Sequence, residues 1–146
     1  MKVERRKFIQ DGCKACLLLG TGFLVSELAA CGPTSQVLHL PVSGNTVQLP
    51  MSGFAKQSMQ IVRPDGWVYD IAVRKSSDGQ YEALFLQCTH QKNQVIAEGN
   101  GFICPLHGSR YNLNGQVKKG PAELPLAKFT VHEDSGNLII DLKSKN

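Results

Sequence analysis

At 146 residues and a formal charge of +4, the chain has the size of one domain, with room for a real core but not for two. No uncharged apolar run reaches the roughly 18 residues a spanning helix needs. Part of the positive charge sits in residues 1–31, which hold five basic and three acidic side chains. No basic patch with interleaved aromatics follows, which argues against nucleic acid as a partner.

The amino terminus reads as an address. MKVERRKFIQ carries a basic cluster, and only twelve uncharged residues separate Lys14 from Glu27. That suits the apolar region of an export signal and falls short of the ~20 residues of a membrane helix. Arg5-Arg6-x-Phe8 resembles the twin-arginine signal, the route for proteins exported already folded, although Glu4 and Gln10 depart from its usual residues. Leu28-Ala29-Ala30-Cys31-Gly32 resembles the bacterial lipoprotein box, in which the cysteine is acylated and becomes the new amino terminus. The expectation is a signal over 1–31, lipidation at Cys31, and a lipid-anchored protein in the bacterial periplasm or on the cell-envelope face of a membrane. An uncleaved anchor with Cys31 incidental stays open. Cys13 and Cys16 fall inside the signal and would be lost with it, leaving Cys88 and Cys104. Exported proteins usually place cysteines in disulfides, but these two stand beside histidines.

Residues 32–46, GPTSQVLHLPVSGNT, show no periodicity and predict a flexible tether. From residue 47 to 146 the chain is punctuated by turn signals: Pro64-Asp65-Gly66, Asp78-Gly79, Gly99-Asn100-Gly101, Asn114-Gly115 and Ser135-Gly136-Asn137. Such pairs supply the positive φ that tight hairpins require. The runs between them are short and rich in Val, Ile, Leu, Tyr and Phe. They predict an all-β, antiparallel sandwich. Trp67, His39, His132, Phe54 and Met59 lack chemical partners in the sequence and are expected in core, edge or tether positions.

Within that domain two clusters carry chemistry. Cys88-x-His90 is followed, after thirteen residues, by Cys104-x-x-His107. Both pairs fall at strand ends, so their loops can face each other. Thiolate and imidazole together admit zinc, copper or an iron–sulfur cluster. Structural zinc sites usually group like ligands as C-x2–4-C and H-x3–5-H. One cysteine and one histidine per loop suits a binuclear centre better, in which each loop gives sulfur to one metal and nitrogen to the other.

Cys88-Thr89-His90 and Cys104-Pro105-Leu106-His107-Gly108-Ser109 closely resemble the two boxes of the Rieske family, and the similarity continues through Arg110-Tyr111, Asn114-Gly115 and Lys119-Gly120-Pro121-Ala122. The resemblance implies one [2Fe–2S] cluster in a subdomain formed by two loops. Cys88 and Cys104 would ligate the buried iron, and His90 and His107 the outer one. Gly108 would let backbone approach the cluster. Ser109 would donate to a bridging sulfide, Tyr111 to a ligand sulfur, and Pro121 belongs to the loop that covers the cluster.

Two thiolates in place of four leave the oxidised cluster formally neutral rather than dianionic, so an electron enters more easily. The family's potentials lie at about −150 to +300 mV, against about −400 mV for plant-type ferredoxins. High-potential members join the loops by a disulfide, but its positions hold Asn93 and Leu106 here. With the hydroxyl pair present and the disulfide missing, an intermediate potential is expected. Only 35 residues follow Tyr111, with one histidine among them, so no oxygenase iron site and no substrate-converting site is expected. The implied function is one-electron transfer in a membrane-associated chain, from quinol or another donor to a cytochrome-type acceptor. The alternatives are the small subunit of an exported molybdenum oxidoreductase of the arsenite oxidase kind and a structural zinc-binding β module.

Overall fold

The structure is a computed structural model and describes residues 36–146. Among them the chain forms β1 (Val37–Leu40), β2 (Val42–Ser43), β3 (Thr46–Pro50), a 3-10 turn (Met51–Ala55), β4 (Met59–Pro64), β5 (Ile71–Lys75) and β6 (Tyr81–Phe85). There follow β7 (Ile96–Glu98), β8 (Gly101–Ile103), β9 (Arg110–Asn112), β10 (Val117–Lys119), β11 (Lys128–Asp134) and β12 (Asn137–Asp141). The all-β expectation holds, and each of the five turn signals lies between strands that pair antiparallel. At Ser135-Gly136 both residues have positive φ (48° and 81°) between the paired Asp134 and Asn137, as a two-residue hairpin demands.

An eight-stranded sheet runs in the order β1-β4-β5-β6-β11-β12-β3-β2, and a four-stranded one in the order β10-β9-β8-β7. The larger sheet folds over itself through β11. Lys128 and Phe129 pair with β6, whereas Thr130 to Asp134 pair with β12. Leu49, Phe129, Leu138 and Ile140 then meet Val62, Ile71, Val73, Ala83 and Phe85 in one buried cluster. Trp67, expected in a core, edge or tether position, is half-buried and packs edge-on against Phe85 and Phe129, at 5.8 and 5.9 Å between centroids.

Strands β4, β5 and β6 are buried on both faces. Their alternate residues, Ile61, Ala72 and Leu84, turn away from the sandwich toward Leu86, Cys88, Val95, Phe102, Cys104, Tyr111, Ala122 and Leu126. Burial on two sides is why IAV and ALFL read as continuous apolar runs instead of alternating. By contrast, β3 and β12 bury every second residue.

The expectation of a tether over 32–46 is corrected from Val37 onward. Val-Leu-His-Leu pairs in parallel with β4, Val37 beside Ile61 through Leu40 beside Pro64, so the sheet is not wholly antiparallel. Val37 packs on one core, and Leu38 and Leu40 on the other. A parallel partner some two dozen residues away leaves no local turn signature. Gly44-Asn45, with φ 61° at Gly44, closes the β2–β3 hairpin between Ser43 and Thr46. Gly-Asn is a recognised hairpin pair, and here it lay inside the stretch read as tether.

Candidate metal centre

The two ligand loops are closed in the same way. The backbone N–H of Cys88 donates to the carbonyl of Asn93 (2.9 Å), and that of Cys104 to the carbonyl of Ser109 (2.8 Å). Each loop thus begins at a cysteine and is pinned five residues later. The first emerges from the end of β6, where Gln87 bridges Gln94 and Val95 N–H donates to Leu86, which carries the chain directly into β7. The second links β8 to β9 and turns on Gly108, whose φ is 76° and whose N–H donates to Cys104 O (2.9 Å). Among the described residues, no atom outside Gly108 and its two chain neighbours lies within 4 Å of the point a Cβ there would occupy. The positive φ, rather than crowding by protein, is the need for glycine visible here.

These closures sort the donors by depth. Cys88 and Cys104 are buried, at 3% and 1% exposure, and neither is in a disulfide. His90 and His107 are exposed, with ring centroids 5.1 Å apart and planes at 80°. Two sulfurs therefore lie on the core side and two imidazoles on the solvent side. Burial pushes the Cys88 thiol up, but hydrogen bonds from Tyr111, the Gln91 and His90 backbone and the Cys104 thiol outweigh it, and the group titrates below its ordinary value. Tyr111 is held above its ordinary value by burial and then by Cys88. Both directions keep the phenol as donor and favour the thiolate as acceptor across their 3.5 Å contact.

Tyr111 also accepts from Thr89 N–H (3.3 Å) and lies 3.1 Å from Thr89 Oγ1. The Thr89 hydroxyl donates to Leu124 O (2.7 Å), fastening the first loop to the segment that contains Pro121. Thr89 stood in the sequence motif without a role, and only this fastening reveals one. Pro121 itself is exposed and lines a shallow groove with Thr89, His90, Glu123 and Leu124. Sequence reasoning also passed over Tyr69, whose hydroxyl donates to Lys92 O (3.0 Å), and Gln94, whose Oε1 accepts from Asp70 N–H (3.2 Å). Both brace the first loop from the β4–β5 connection, and no local pattern marks them.

Ser109 tests whether these residues fit an iron–sulfur cluster. It is fully buried, and its Oγ accepts from Ala122 N–H (3.0 Å). Among the described residues its own proton has no acceptor, a costly arrangement in a dry interior. Four side chains around a single zinc would offer it none, whereas a bridging sulfide would. The donor set, its depth and this spare proton fit the cluster. Cys31, expected as the lipidation site, and the Arg5-Arg6 pair lie outside the described residues.

Comparison with known proteins agrees. The sequence model of the family described as "Rieske [2Fe-2S] domain" matches residues 45–130. The cytochrome b6-f complex iron-sulfur subunit 1 of Synechocystis sp. is 32% identical over 111 residues, covering 75% of this chain and 50% of that protein. The cytochrome b6-f complex iron-sulfur subunit of Prochlorococcus marinus is 46% identical over 55 residues, covering 36% of this chain and 31% of that protein. The match to the mitochondrial Rieske subunit of the rat cytochrome b-c1 complex spans 20% of that protein, so the aligned part is a fifth to a half of these relatives' length. Among solved structures, the cyanobacterial plasma membrane Rieske protein of Synechocystis shares the fold with a TM-score of 0.53 at 24% identity, over 63% of this chain and 94% of that one.

Proposed function

Because the chain belongs to the Rieske [2Fe–2S] family, whose members carry a single such cluster, we propose that it transfers one electron at a time through a cluster held by Cys88, Cys104, His90 and His107. The observation that carries this reading is the sorting of donors, two thiols buried and two imidazoles exposed. When bound, the cluster supplies a one-electron couple.

The chain's own residues do the rest. Cys88 and Cys104 anchor the inner side in an apolar core with Leu86, Val95 and Phe102, which keeps water away from the sulfurs. Tyr111 donates to Cys88, and Ser109 has a proton to give to a sulfide. Each stabilises added negative charge and so favours the reduced form. Thr89 holds the covering segment in place through Leu124. His90 and His107 present imidazole edges to solvent, where a redox partner can approach. Leu106 and Leu124, 54% and 65% exposed, supply apolar surface beside them. The missing loop disulfide, set against the hydroxyl pair, supports a potential between those of the ferredoxin-like and the high-potential members.

The membrane-associated chain proposed above, with quinol or another donor and a cytochrome-type acceptor, is supported by relatives named as subunits of cytochrome b6-f and b-c1 complexes. No relative named here favours the molybdenum oxidoreductase. Export through Arg5-Arg6 and anchoring at Cys31 rest on the sequence of residues 1–31.

Anaerobic purification tests the centre. The expected product is coloured, contains two irons and two acid-labile sulfides per chain, and gives a rhombic spin-resonance signal when reduced. A colourless protein with one zinc overturns the reading. Intact mass of the membrane fraction checks acylation at Cys31, and an Arg5→Lys, Arg6→Lys double variant should retain loaded protein inside the cell.

A further inference from the structure

Asn93 touches both inner ligands. Its backbone carbonyl accepts the N–H of Cys88 (2.9 Å), and its side-chain Nδ2 lies 3.8 Å from Cys104 Sγ and 3.4 Å from Gln94 O. An amide nitrogen carries two protons, one for each neighbour. The amide's orientation follows from the chemistry around it. A carbonyl oxygen and a ligating thiolate are both acceptors, so turning Oδ1 inward would set acceptor against acceptor on both contacts. Asn93 is half-buried in a loop braced by Tyr69 and Gln94, so its amide is held in place rather than free in solvent.

We propose that Asn93 is a positioning and potential-setting residue of the centre: its amide donates to the thiolate of Cys104, and its carbonyl fixes the loop that carries Cys88. It stands at one of the two places where a loop disulfide would otherwise be anchored. There it joins the loops by one hydrogen bond, from its amide to Cys104, and so adds a donor to the sulfur that Tyr111 does not reach. Each inner sulfur then has a donor from a non-ligand side chain, Tyr111 on Cys88 and Asn93 on Cys104. An N–H aimed at a thiolate stabilises the state with more negative charge, so it favours reduction.

This inference rests on the proposed ligand set, and the experiment separates the two. Wild-type, Asn93→Leu and Asn93→Asp proteins are purified anaerobically and titrated potentiometrically. Leucine keeps the bulk and removes the donor. The loss of one hydrogen bond, on the scale of about 0.5–1.5 kcal/mol, shifts the reduction equilibrium roughly two- to twelvefold toward the oxidised form. For a one-electron couple that is about 22 to 65 mV downward. Aspartate, which sets a carboxylate against the sulfur, lowers the potential further than leucine. A purely structural role would alter cluster content and thermal stability without this ordering.

A second measurement needs no variant. With 15N confined to asparagine side chains, pulsed spin resonance of the reduced wild-type protein is expected to show a weakly coupled amide nitrogen. A loaded protein in which Asn93→Leu keeps the wild-type potential, or which lacks that coupling, overturns the role of Asn93 alone. Protein without acid-labile sulfide overturns the ligand set and this inference together.

Discussion

The interior of the sandwich and the interior beneath the ligand loops share β4, β5 and β6, yet they are closed by different means. On one face Val62, Ile71, Val73, Ala83 and Phe85 meet Leu49, Phe129, Leu138 and Ile140 from β3, β11 and β12. These strands are five to seven residues long, and all nine side chains are apolar. On the other face Ile61, Ala72 and Leu84 are covered by a sheet whose strands are three residues each. Its buried set includes two thiols, a phenol and a serine. The first core is hydrocarbon apart from Gln60, a buried polar side chain on the same face of β4 as Val62. The second spends its burial on groups that want a partner. A domain can hold a reactive site rigidly when an independent core behind the site carries the stability.

The sharpest test of that difference is to remove a ligand. Cys88→Ser should lose nearly all iron and sulfide, with amide exchange rising through β7 to β10 while β4, β5 and β12 keep their protection. Equal loss of protection in both regions would break the comparison. The complementary change is Leu138→Ala, which opens a cavity in the fully buried sandwich core. It should lower unfolding stability by about 2–5 kcal/mol and leave the reduction potential in place.

Smaller changes sharpen the contrast within the loop-bearing region. A Cβ on Gly101 would overlap the carbonyl oxygen of Tyr111 across the β8–β9 pair. Gly101→Ala should cost about 1–3 kcal/mol, as overpacking does, and should displace the Tyr111 hydroxyl enough to change the spin-resonance line shape. Tyr111→Phe keeps the ring and deletes the donor. The expected result is a potential lower by about 59 mV or less, for at most a tenfold shift in a one-electron couple, with stability little altered.

The smallest expected effect belongs to an ion-pair cluster on the face of β5 and β6 that also carries Ala72 and Leu84. Glu82 bonds Arg74 (2.9 Å) and Lys128 (2.7 Å). Burial pushes its carboxyl up, but the hydrogen bonds and charges of Lys128 and Arg74 outweigh this and hold it below the usual carboxylate range. A depressed carboxylate stabilises the fold fully above its unfolded pKa, and the contribution disappears as pH falls through the folded value. Glu82→Gln should therefore cost less than ~1 kcal/mol at neutral pH and converge with wild type in acid. Urea titrations at both pH values measure the gap.

Much of this organisation was legible in the residues because it is local. Asn-Gly, Asp-Gly and Ser-Gly pairs encode their own φ angles, so the hairpins could be placed without a fold. The ligand motifs were equally plain, since Cys-Thr-His and Cys-Pro-Leu-His hold their donors within three residues of each other. What escaped depends on distant partners. Val37–Leu40 becomes a strand only because β4 offers it an edge, and the Pro/Ser/Gly-rich flanks hid that. Thr89 gains its task from Leu124, Tyr69 from Lys92, and the amide of Asn93 from Cys104. None of these pairs is near in sequence, and no periodicity links them. The two-faced burial of β5 and β6 was written in their unbroken apolar runs, but such runs do not say what lies on the second face.

The depth sorting of the four donors has a consequence for traffic. A centre whose sulfur side is sealed by hydrocarbon and whose nitrogen side alone meets water has a single doorway. With the proposed ligand set, whatever delivers an electron and whatever collects it would use the same threshold in turn, and the protein would operate as a ferry between two quays and not as a cable laid through its own interior.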